Sequence, residues 1–216
     1  ETINALMDFR EGKISRDELK NFLRKRDQIA GHAVDSATFL FLEPEVIFET
    51  FPDAKYFFSL RQCDAWIISQ VGNGVKMARL VETKKIRPDL GYLDRYARLY
   101  ARQYSWKMLR DKSELKRVSE SLTRDLGHFW GYYTINTMKA MLKLDRKNRL
   151  VIRLENLNKS LPTLAQFAEV PIHTLDEKNL HLNKDEDPEN FRRILGSELL
   201  SSVCKHEEET VANWIK

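Results

Sequence analysis

Cysteine is scarce: the chain has two, Cys63 and Cys204, among 216 residues. They lie far apart and show no metal-ligand spacing, which excludes a disulfide framework and the common zinc modules. The reading is two reduced thiols in a cytoplasmic protein. No run approaches the roughly 18 consecutive apolar residues of a membrane span. No signal-peptide pattern opens the chain, which begins at Glu1 rather than at a methionine. Repeats and low-complexity tracts are missing. So is a G-x-x-x-x-G-K-[ST] phosphate loop. Glycine is sparse, with eight residues, and the cluster Gly72-Asn73-Gly74 follows a helical stretch and reads as a loop.

What is present fits one globular domain. Hydrophobic residues make up 42% and charged residues 31%, enough apolar mass for a real core. The formal net charge is +4, from 36 basic against 32 acidic residues. That balance suits an anionic small ligand, an anionic polymer or a nucleic acid without choosing among them. The groups Arg24-Lys25-Arg26 and Lys84-Lys85-Ile86-Arg87 read as solvated faces, with a steering patch for an anion as the alternative.

Periodicity supplies the elements. Residues 2–11 carry apolar positions at helical steps, and Gly12 ends them. Ser15 and Glu18 form a capping box for a helix running to about Ala30, which Gly31 closes. Residues 33–42 are apolar and β-leaning. Pro44 suits the first turn of a short helix to about Phe51. Lys55–Arg61 reads as a strand covered on both faces, and residues 62–71 as a helix directly after it. Tyr92, Tyr96, Tyr100 and Trp106, then Phe129, Trp130 and Tyr133, read as aromatic core stripes on helices. Arg149–Leu154 reads as a second buried strand, followed by a helix over Leu161–Val170. Asp187-Pro188-Glu189 opens a terminal helix or helix pair. The expectation is an α/β fold, a small parallel sheet wrapped by many helices.

In parallel sheets, the C-terminal ends of strands open into the ligand crevice. Arg61 stands at such an end, and a guanidinium there can grip a phosphate with two hydrogen bonds. Ser69 follows eight residues later, two turns into the next helix, where its hydroxyl could face the same crevice. The bland alternative is a surface arginine and a serine tolerated in a helix.

The stretch VDSATFLFLEPEVIFETFPDAKYFFSLRQCDAWIIS, and FPDAKYFFSLR above all, resembles PAPS-dependent sulfotransferases. The segment RLVIRLENLNKSLPTLAQFAEVP resembles that family's late strand, acidic turn and following helix, and His181-Leu182-Asn183 falls where the family often has such a triplet. The resemblance implies a P-loop-like sulfotransferase fold and transfer of a sulfuryl group from PAPS to a hydroxyl or amine on a small-molecule or glycan acceptor. No metal is required and no nucleic-acid partner is expected. It places Arg61 and Ser69 on the donor's 3′-phosphate, and more loosely Arg192 and Arg193 over the donor. The chain departs from the family in having Gln62-Cys63 where Asp-Pro is usual. It also lacks the K/R-x-G-T-T loop that holds the 5′-phosphosulfate, so the expectation is one domain over 1–216 whose first strand and loop lie upstream of Glu1.

Sulfuryl transfer needs a group to take the acceptor's proton. His32 and then Asp35, at the start of the apolar stretch 33–42, are the candidates. His128 reads as a packed histidine beside Phe129 and Trp130. Two other readings stand beside the enzyme: a non-catalytic module of the same fold, and a basic helical protein binding nucleic acid or an anionic polymer. The interspersed acidic residues weaken the last. Acceptor identity and oligomeric state are not encoded in any motif.

Overall fold

The computed structural model describes residues 2–31, 42–83, 111–175 and 188–215. The candidates His32 and Asp35, the triplet His181–Asn183 and the aromatic stripe of residues 92–106 lie outside these. The described residues are mostly helical, around a two-stranded parallel sheet, an α/β arrangement.

The first three helices form one layer. α1 is Thr2–Arg10, α2 is Arg16–Ala30 and α3 is Pro44–Thr50. The capping box is present: the Ser15 hydroxyl accepts from the Glu18 N–H at 3.2 Å, and the Glu18 carboxylate accepts from the Ser15 N–H at 2.7 Å. Gly31 closes α2 at φ 57°, the left-handed region where glycine carries no Cβ penalty. Leu6, Leu19, Leu23, Val46 and Ile47 are the buried centre of this layer. Tyr56 joins it to the sheet, its hydroxyl donating to the Phe51 carbonyl at 2.7 Å.

β1 spans Tyr56–Leu60 and β2 spans Arg149–Arg153. They run parallel, with Tyr56 opposite Arg149 and Leu60 opposite Arg153, so both strands end at the same edge. The expectation that both are covered on each face needs correction. Phe57 and Ser59 on β1 and Val151 on β2 are exposed, and burial alternates along β1 as on a half-covered surface.

α4, Cys63–Glu82, begins two residues beyond β1. It does not stop at the glycine cluster, as the sequence reading had it. Gly72 and Gly74 are buried inside the helix, and Val71 is 1% exposed. A buried apolar face overrides glycine's helix penalty of about 1 kcal/mol per residue. α5, Lys112–Leu142, spans roughly 46 Å at 1.5 Å per residue. Asp111 caps it, accepting from the N–H groups of Ser113 and Glu114. α6, Leu157–Ala168, follows β2, and α7, Pro188–Leu195, and α8, Ser197–Ile215, end the described chain. The larger core forms where α4, α5, α7 and α8 meet, around Ile67, Leu122, Leu126, Leu195 and Leu200.

Candidate functional site at the sheet's C-terminal edge

The shared end of β1 and β2 is the place where the chain turns from strand to helix. Arg61 and Gln62 bridge β1 to α4 there. The Gln62 N–H donates to Glu155 Oε1 at 2.7 Å, from the turn after β2. The Cys63 N–H donates to Glu208 Oε1 at 3.0 Å, from α8. Asp64 accepts from the Ala65 N–H at 2.6 Å and pairs with Arg192 at 2.9 Å. Carboxylates from two other parts of the chain, Glu155 and Glu208, and the helix's own Asp64 therefore hold the start of α4. They also fill the helix N-terminus that could otherwise receive an anion. The Cys63 N–H is used, which explains structurally why a proline at that position would not serve here.

Arg61 is half-buried, and its carbonyl accepts a hydrogen bond from Trp130 Nε1 of α5 at 3.1 Å. Among the described residues, no carboxylate pairs with its guanidinium. Ser69 is 8% exposed, between the core residues Ile67, Ile68 and Val71. Arg61 and Ser69 thus flank the same β1–α4 unit, and no direct hydrogen bond joins them. Arg192 and Arg193 stand on α7 and line an open cleft of about 450 Å³ with Glu189, Asn190 and Ser197. Arg192 is engaged by Asp64, whereas Arg193, among the described residues, bonds the Asn190 side chain one turn earlier, at 2.8 Å.

One group of site residues escaped the sequence reading. Glu43 precedes α3, half-buried, with Arg10 Nε 3.4 Å from its carboxylate. The Arg10 guanidinium lies over the Tyr133 ring, 5.5 Å from its centroid. Burial pushes the Glu43 carboxyl above its ordinary range, and the charge of Arg10 opposes that rise. Tyr133 and Trp130 are three apart on α5, so they share one helix face. That face touches Arg61 through Trp130 and Arg10 through Tyr133. Phe129 stacks on Trp66 of α4 at 5.9 Å and meets Tyr133 at 4.1 Å. The middle of α5 thus meets Arg61 through Trp130 and the Arg10–Glu43 pair through Tyr133. The available signal was an acid directly after the apolar stretch 33–42 and before a proline-led helix, the same placement that singled out Arg61.

No family model, no curated protein and no solved structure matches this chain.

His128 does not pack as expected: its side chain is 81% exposed, with Nδ1 3.9 Å from Glu207. Among the described residues, no three His, Cys, Asp or Glu side chains gather in a metal-holding group, and no helix is long and apolar enough to cross a membrane.

Proposed function

We propose that the chain is the core of a PAPS-dependent sulfotransferase with a P-loop-like fold. The observation that carries the reading is the β1–Arg61–α4 unit. An arginine leaves the C-terminal end of a parallel strand, and a serine stands two turns into the helix that follows, inside the motif resembling that family. In this reading, Arg61 and Ser69 bind the 3′-phosphate of PAPS. Arg192 and Arg193, on the open cleft, supply further positive charge toward the donor.

In this reading the Arg10–Glu43 pair beside Tyr133 supplies a proton acceptor. Burial raises the Glu43 carboxyl above its ordinary range, which makes it a stronger base than an exposed glutamate, and the charge of Arg10 opposes that rise. As the acceptor oxygen or nitrogen bonds to sulfur, Glu43 takes its proton. The bond between sulfur and the bridging phosphate oxygen breaks, and adenosine 3′,5′-bisphosphate leaves. The protein contributes positioning and charge stabilisation. Glu43 joins His32 and Asp35 as a candidate for this role and is the one whose surroundings are described.

The test is thermal stabilisation by adenosine 3′,5′-bisphosphate. A ligand at 100 times its Kd adds about 2.7 kcal/mol of stability. Arg61→Ala removes charge-assisted bonds worth roughly 1.5–3 kcal/mol, so affinity falls roughly 10- to 100-fold and the shift shrinks accordingly. Equal shifts in both proteins, or no shift in either, would overturn the donor site.

A further inference from the structure

The chain's net charge is local. Residues 139–149 hold five basic side chains, Lys139, Lys143, Arg146, Lys147 and Arg149, against the single acid Asp145. The remaining residues balance at 31 basic against 31 acidic, so this short stretch carries the whole formal charge of +4. It runs from the last turn of α5 to the first residue of β2. Lys139, Leu142 and Lys143 stand at i, i+3 and i+4, so they share one face at the end of α5, and all three are exposed. Arg146 and Lys147 are exposed in the turn that follows, and among the described residues no carboxylate pairs with either.

Hydrogen bonds gather further exposed residues at this N-terminal edge of the sheet. Arg149 donates to the Met141 carbonyl at 2.8 Å, which holds the end of α5 against the start of β2. Arg149 lies opposite Tyr56, the first residue of β1. Lys55, just before it, donates to the Phe167 carbonyl at 2.9 Å and pairs with Glu169 at 2.6 Å, which brings in the end of α6. Val170 and Ile172 follow there, 38% and 52% exposed, and Leu142 is 55% exposed. Lys143 takes up Glu45 at 2.6 Å and Lys55 takes up Glu169. Among the described residues that leaves Asp53 and Asp145 to oppose the basic groups.

We propose that this edge is a docking surface for an anionic lipid bilayer, on which the protein rests. The basic side chains meet lipid phosphates and carboxylates, while Leu142, Val170 and Ile172 enter the boundary between headgroups and acyl chains. Exposed aliphatic side chains select this partner over a nucleic acid, whose bases stack on aromatic rings. The strand end that leads to Arg61 lies at the opposite edge of the sheet and faces away from the bilayer. The inference does not depend on the sulfotransferase reading.

The experiment is co-sedimentation with vesicles of phosphatidylcholine alone and of phosphatidylcholine mixed with phosphatidylserine. The expected result is binding to the mixed vesicles alone, weakened by added salt. Each Lys or Arg near an anionic leaflet strengthens binding by about fivefold. Arg146→Glu with Lys147→Glu removes two such contributions and adds repulsion, so affinity falls by at least roughly 25-fold. Leu142→Ser with Ile172→Ser weakens binding at unchanged charge. Arg24→Glu with Lys25→Glu makes the same change of net charge on exposed residues of α2 and leaves most of the binding intact. All the substituted side chains are exposed, and circular dichroism checks that each variant keeps the parent's helicity. No binding to the mixed vesicles, an equal loss in the α2 variant, or full binding by the Leu142 and Ile172 variant overturns the proposal. Binding to a polyglutamate peptide or to duplex DNA in place of the vesicles overturns it as well.

Discussion

Replacing Gly127 by alanine sets two opposed effects against each other. Gly127 is in the middle of α5, where alanine is the better helix former by about 1 kcal/mol. The same position faces α8 at close range. A Cβ built there would lie 2.4 Å from Val203 Cγ1. Carbon atoms rest at about 3.5–4.0 Å, so the overlap exceeds about 1 Å. Val203 cannot yield by rotation, because a β-branched side chain on a helix has one strongly preferred χ1. The helices must separate, and a gap of that size weakens neighbouring contacts between α5 and α8. Overpacking of this kind costs typically 1–3 kcal/mol, and the long shared seam favours the upper end. The net expectation is a loss of about 2 kcal/mol, read as a shift of the denaturant midpoint with unchanged slope. A double-mutant cycle separates the two effects. In a Val203→Ala background the clash is gone, and Gly127→Ala should stabilise by up to about 1 kcal/mol. Gly131→Ala should cost less than Gly127→Ala. Its Cβ meets Glu207 Oε2 at 2.1 Å, the far end of a flexible side chain. Gly127→Ala being neutral in the parent protein, or having the same effect in both backgrounds, would refute the reasoning.

Other outcomes are expected from single groups. Thr123 is 0% exposed, and its hydroxyl has no hydrogen-bond partner among the described residues, so Thr123→Val should stabilise by about 1 kcal/mol in chemical denaturation. A carbon-detected NMR titration should place the Glu43 midpoint above that of an ordinary glutamate, and Arg10→Gln should raise it further; a drop would remove Arg10 from the account. Glu49, held by Arg16 and by Lys20 at 2.6 Å, has its pKa lowered to about 2. A depressed carboxyl stabilises the fold above its unfolded pKa, near 4.5, and loses that effect as pH falls toward 2. The stability difference between the parent and Glu49→Gln should therefore be present at pH 6, small because the pair is solvated, and shrink between pH 4.5 and 2; a constant difference would contradict the pairing.

What the sequence determined on its own was local. Ser15, Glu18 and Gly31 mark the ends of α2 because capping needs only residues within a few positions of one another. The short apolar runs at 56–60 and 149–153 mark both strands, and Arg61 follows from its place at the end of the first. Where the reading failed, at Gly72 and Gly74, local propensity was outweighed by burial of the helix they belong to, which no local window contains. Only the tertiary structure could bring Arg10 to Glu43, Glu155 and Glu208 to the start of α4, and Cys63 and Cys204 into one core. These partners are far apart along the chain, and their meeting depends on how whole helices dock. The same holds for Gly127: its smallness looks like a weak helix position in the sequence and becomes the clearance for α8 once the two helices cross.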